Sequence, residues 1–152
     1  ARYSSEQILL ALGRGSLTAP PTLAGSGVWH GRERQIDAFF VTIDKSEKDF
    51  SPTTLYDDYA LNRELFHWQS QSATSPESPT GQRYIHHEQQ GYQPLLFVRQ
   101  TKRLPNGLTE PFQFAGPLRY VRHDGSKPMS IVWKLLYPLP ARTYRECRRE
   151  AV

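Results

Sequence analysis

Cysteine is nearly missing from this chain: Cys147 is the one thiol in 152 residues, which excludes an internal disulfide framework and any multi-cysteine zinc site. Such usage fits a reducing compartment, and the expected location is cytoplasmic. Long apolar runs are lacking too. None approaches the ~20 residues that a bilayer-crossing helix needs, no signal-peptide pattern is visible, and no membrane partner is expected. The sequence also lacks Gly-x-Ser-x-Gly, a Walker loop, the dinucleotide glycine fingerprint and His-Glu-x-x-His. His86 and His87 are adjacent, so on a helix they point apart and do not share a metal. No catalytic residue, metal ligand or cofactor is expected, and the chain reads as a binder rather than an enzyme.

What is present describes a folded domain. Hydrophobic content is 38% and aromatic content 12%, enough for a core in a single domain of this length. Twelve prolines and ten glycines favour many short elements joined by turns. Ala1 is an unusual first residue and points to a piece of a longer chain. Charge divides by halves: residues 1–76 hold 7 Lys/Arg against 9 Asp/Glu, whereas residues 77–152 hold 12 against 6. A basic half with interleaved aromatics permits a phosphate-binding face, and equally a solvated basic surface.

In order along the chain, Ser4 caps an amphipathic helix ending near Gly13, giving an N-terminal helix at 1–13 and a Ser/Thr/Pro/Gly linker at 14–27. The β-rich body, 28–140, opens with a short strand at Val28, Trp29 and His30. Residues 38–43 follow, β-branched and aromatic enough to be buried on both faces. Residues 51–59 read as a short capped turn of helix, which would set Tyr56 and Tyr59 on one face. Asp57 and Asp58 there are paired carboxylates, but no third ligand stands at a recognisable spacing. Ser78 and Pro79 look like a helix start. The second half reads as a β meander, with Gly116-Pro117 interrupting it. Arg119 and Arg122, three apart, do not share a face of a regular strand. Cys147 sits among arginines in a terminal helix at 141–152, where it reads as a structural thiol. About six strands and three helical pieces give an α+β fold: a curled, mostly antiparallel, barrel-like sheet flanked by a few helices.

The densest stretch runs from Leu65 to Tyr84. Phe66 and Trp68 alternate with His67 and Gln69, Gln71 follows, and a Ser/Pro loop leads to Gln82-Arg83-Tyr84. These planar groups suit a pocket that sandwiches a flat ligand and reads its edge. A core strand followed by an ordinary loop is the competing reading.

Several motif blocks carry a resemblance. They are residues 39–59 (FFVTIDKSEKDFSPTTLYDDY), 65–71 (LFHWQSQ) with 75–84 (SPESPTGQRY), and the later FAGP at 114–117 and SKPM at 126–129. From about Ala38 to Pro140 the chain resembles the C-terminal target-recognition domain of bacterial proteins that join a phospholipase-D-type nuclease to a DEAD/DEAH helicase, the SauUSI-like modification-dependent type IV restriction enzymes. The resemblance implies an SRA/PUA-like module that flips 5-methylcytosine or 5-hydroxymethylcytosine out of double-stranded DNA for a nuclease and helicase on the same parent chain. The isolated domain would be a monomer. On that footing Tyr56 and Trp68 stack on the base, Tyr59 and Phe66 complete the walls, and Asp57, Gln69 and Gln71 read its edge. Ser78, Thr80, Gln82 and Arg83 then hold phosphates, with Arg119, Arg122 and Lys127 as outer contacts. A reader of another modification such as phosphorothioate, or a docking domain of the parent helicase, is the alternative.

Overall fold

Ser4 starts the first helix as its sequence promises. In the computed structural model, which describes residues 2–13, 27–44 and 57–148, Ser4 Oγ accepts from Gln7 N–H while the Gln7 side chain accepts from Ser4 N–H, a capping box opening α1 (Ser5–Ala11). Nearly all of the expected linker, Tyr56, most of the expected turn at 51–59 and the last four residues of the expected terminal helix lie outside the described residues. The strands are β1 (Arg2–Tyr3), β2 (Val28–Gly31), β3 (Ile36–Asp44), β4 (Tyr59–Ala60), β5 (Leu65–Gln69), β6 (Gln93–Thr101), β7 (Phe112–Asp124) and β8 (Ser130–Leu135); the helices after α1 are α2 (Pro79–Ile85), α3 (His87–Gln90) and α4 (Ala141–Cys147).

One mixed sheet of eight strands runs β2-β3-β6-β7-β8-β5-β4, with β1 added to β7. Only the β3–β6 pair is parallel among these ladders, since β4, β5, α2 and α3 intervene between the two strands. The expected meander is β6-β7-β8, antiparallel throughout. The fold is therefore α+β and mostly antiparallel. A closed barrel is not formed: β2 and β4 end the sheet without pairing to each other. The sheet does curl. Phe39 of β3 stacks on Trp68 of β5 at 4.1 Å, although β6, β7 and β8 lie between them in the ladder.

Inside the curl, Phe39, Phe66, Trp68, Tyr84, Trp133 and Leu135 form the main core. A second cluster, Ile8, Leu9, Ala38, Phe40, Phe97 and Phe112, lies where α1 packs on the other face of β3 and β6. That explains the unbroken apolar run at 38–43, which is buried on both faces. Gly116-Pro117 does not interrupt β7, contrary to the sequence expectation. Gly116 takes a φ of +114° and the register shifts at Leu96/Phe97, so the chain bends while the strand continues. Past Pro117 the edge of β7 is no longer paired to β6. Side chains replace the missing strand: Gln93 Nε2 donates to Leu118 O (3.1 Å), and Tyr120, two residues on, donates its N–H to His87 Nε2 (3.1 Å).

Helix α2 seats tightly against the loop before it. A Cβ on Gly81 would collide with the carbonyl of Ser75, so glycine is required there. Cys147 is 2% exposed at the end of α4, and burial pushes its thiol up to about 12, aided by Glu146 and opposed by Arg2. The neighbouring arginines do not activate it. Cys147 is expected to resist alkylation at about pH 8 in the folded chain and to react fully once denatured. Labelling of the native protein at a free-thiol rate, read by mass spectrometry, would contradict this burial.

Candidate nucleic-acid interface

Period-two alternation divides the expected pocket. On β5, Phe66 and Trp68 point into the core, 0% and 3% exposed, while His67 and Gln69 point outward. Trp68 is a core residue, stacked on Phe39 and packed edge-on against Tyr84, so the stacking platform expected there is not available to a ligand. Phe66 is equally enclosed. Gln71 lies beyond the strand, and its Oε1 accepts from Tyr84 Oη (3.0 Å) and Thr74 Oγ1 (3.3 Å). It stabilises the loop rather than facing the outer sheet. Burial, first of all, raises the Tyr84 pKa, keeping that hydroxyl a donor.

The expected phosphate holders are also occupied. Ser78 Oγ accepts from Gly81 N–H and donates to Ser75 O, and Gln82 Nε2 donates to Pro76 O. Arg83 grips the buried carboxylate of Asp37 through Nε (2.8 Å) and Nη2 (3.0 Å), and His30 Nδ1 donates to the same carboxylate at 3.1 Å. Burial lowers the His30 pKa, against the pull of Asp37. This triad ties β2 and β3 to α2. Thr80 is half-buried on the same seven-residue helix, and Lys127 stands exposed in the β7–β8 turn.

Strand register assembles a different surface. Across β4, β5, β8 and β7 the outward row is Tyr59, His67, Val132 and Arg122; beside it run Leu65, Lys134 and Arg119 on one side, and Gln69, Ser130 and Asp124 on the other. Arg119 and Arg122 share this face after all. A bulge at Val121 inserts one residue between Tyr120, opposite Trp133, and Arg122, opposite Val132. One extra residue converts an odd spacing into an even one. Arg119 pairs with Glu88 at 2.9 Å, both well exposed, whereas Arg122 and Lys134 make no ion pair among the described residues.

The acidic edge of the face is pinned to β5. His67 Nδ1 lies 2.8 Å from Asp57 O, Asp57 N–H donates to Gln69 Oε1 (2.7 Å), and Gln69 N–H donates to Asp58 Oδ1 (2.8 Å). Gln69 thus positions the chain entering β4; its carbonyl is already engaged. Tyr59 lies in a strand, not a helix, and stacks on His67 with ring centroids 4.8 Å apart and planes 22° from parallel. Burial lowers the His67 pKa; Asp58 pulls the other way, and Arg122 adds to the lowering. The sequence marked His67 as one of the planar groups without giving it a specific role and gave Lys134 none, although their alternation with Trp68 and Trp133 makes both outward-facing. Chemically, the face offers a ring stack, an imidazole and, at Arg122 and Lys134, two cations without an ion pair among the described residues. No group of three or more His, Cys, Asp or Glu able to hold a metal occurs among the described residues.

Elsewhere, α1 leaves an apolar groove of about 490 Å³ against β6 and β7, lined by Tyr3, Ile8, Leu12, Leu95, Phe97 and Phe114 among others. No helix is long and apolar enough to cross a membrane among the described residues. No curated protein matches the chain. Residues 1–147 match the family model described as a domain of unknown function (DUF3427), and over that span, nearly its whole length, the chain belongs to the DUF3427 family.

Proposed function

We propose that this chain is a non-catalytic DNA-binding module that reads 5-methylcytosine or 5-hydroxymethylcytosine, flipped from the duplex, on behalf of nuclease and helicase domains of a longer modification-dependent restriction enzyme. The observation that carries the reading is the outward face, where the Val121 bulge aligns Arg119 and Arg122 with Lys134 beside the stacked Tyr59 and His67. Cations aligned on one face follow a phosphate backbone, and adjacent rings offer a sequence-tolerant platform for a base outside the stack. A curled sheet suits that task, because it presents a rigid surface on which an extruded base can be held. The reading moves the base-contacting group from Trp68 to Tyr59 and His67.

The test is a titration of the 152-residue chain against matched duplexes with cytosine, 5-methylcytosine or 5-hydroxymethylcytosine at one position, at ~150 mM salt. Modified duplexes are expected to bind about tenfold tighter. Arg122→Ala should weaken all three by similar factors and reduce the salt slope by about one. Equal affinity for all three would refute a base reader. A docking role has one observation in its favour, the apolar groove beside α1, on which Tyr3 and Phe114 are 47% and 46% exposed. Absence of any DNA binding would favour it.

A further inference from the structure

His67 is the group on the outward face whose hydrogen-bonding character is fixed by its surroundings. Asp57 O is a backbone carbonyl and only accepts, so at 2.8 Å the His67 Nδ1 must carry the proton. Stacking on Tyr59 holds the ring plane. The remaining nitrogen, Nε2, is then a bare lone pair in the neutral ring. Nε2 makes no hydrogen bond among the described residues, and His67 is half-buried on the face rather than enclosed. Its neighbour in the row is Val132, buried at 7% exposure, with Arg122 beyond it.

Resting on the DNA reading above, we propose that His67 Nε2 accepts a hydrogen from the exocyclic amino group of the target pyrimidine. Cytosine offers a donor at that edge where thymine offers an acceptor. A fixed acceptor therefore selects the amino-bearing base and repels the oxo-bearing one. Gln69 does not compete for the role, because its carbonyl takes the Asp57 N–H.

Protonation would abolish the selection by turning Nε2 into a donor. Among the described residues, the charged and titratable groups facing the ring are Asp58 and Tyr59 from the β4 side and Arg122 from β7; β8 contributes the uncharged Val132. Burial keeps the ring neutral below the ordinary histidine value of 6.5, so the acceptor form prevails at neutral pH and is lost only in acid.

The experiment compares the chain and its His67→Phe variant on duplexes carrying 5-methylcytosine, cytosine, or 5-methyl-2-pyrimidinone, which lacks only the amino group. Phenylalanine keeps the stack on Tyr59 and deletes the acceptor. Because the amino-less base pairs less firmly, the informative quantity is the change in preference between the two proteins. His67→Phe is expected to lower the preference for 5-methylcytosine over the amino-less base about tenfold, with its salt-dependent affinity retained. A variant that keeps the parent preferences would overturn the role of His67 and leave the DNA reading standing. A parent chain that does not distinguish 5-methylcytosine from cytosine would overturn the DNA reading, and this inference with it. Should the variant fail to fold, the parent decides: its preference for the amino-bearing base must fall in acid with the same midpoint as the His67 ring titration followed by NMR. A preference unchanged through that titration overturns the proposal.

Discussion

Trp68→Ala is expected to cost about 3–5 kcal/mol of folding stability, the range for removing a large aromatic side chain from a packed core. Trp68 is 3% exposed, stacks on Phe39 at 4.1 Å and meets Tyr84 edge-on at 5.4 Å. Its removal leaves a cavity where β3 and β5 meet across the curl. Domains of this size are stable by about 5–15 kcal/mol, so the variant would be marginal. Urea denaturation should show a strongly lowered midpoint, and Trp68→Phe a much smaller change, since a ring remains against Phe39. Any loss of DNA affinity in Trp68→Ala would then follow unfolding. Tyr59→Ala, on the outer face, should leave the midpoint nearly unchanged and impair binding to the modified duplex. A Trp68→Ala protein as stable as its parent would refute the assignment of this residue to the core.

Asp37→Ala is expected to be comparably damaging, for an electrostatic reason. The Asp37 side chain is 1% exposed and receives two hydrogen bonds from Arg83, itself 12% exposed, and one from His30. Deleting the carboxylate strands a desolvated guanidinium, and breaking a buried pair from one side costs about 3–5 kcal/mol. Removing both charges should be gentler. Asp37→Leu with Arg83→Met is therefore expected to recover a large part of the loss, and the double-mutant cycle to show strong coupling. Strict additivity of the two substitutions would contradict the geometry. Because Arg83 is engaged in this way, its substitution should alter DNA affinity only through stability, unlike substitution of Arg122.

Local chemistry made several elements legible before any coordinates. The Ser4 cap, the Ser78-Pro79 helix start, the two-faced burial of 38–43 and the meander of β6, β7 and β8 depend on side chains acting on their own backbone or on their nearest strand. The α+β class with a mostly antiparallel sheet followed from the same signals. The twelve strands and helices among the described residues exceed the expected nine because β1 and β4 are two residues long and α3 four, too short to carry a period.

Three things were decided only in the folded chain. Whether Trp68 lines a site or fills the core depends on what lies across from it, and Phe39 is 29 residues away in sequence but 4.1 Å away in space. Whether Arg83 is a phosphate ligand depends on Asp37, which reaches it from β3. Whether Arg119 and Arg122 act together depends on one bulge, a property of how β7 pairs with β8 and invisible in the spacing of β7 alone. The sequence by itself determined composition, elements and the supply of aromatic and basic groups, because those are set residue by residue. Tertiary structure alone decided which face each group occupies and which are already bound, because register, curl and buried pairing are relations between distant segments.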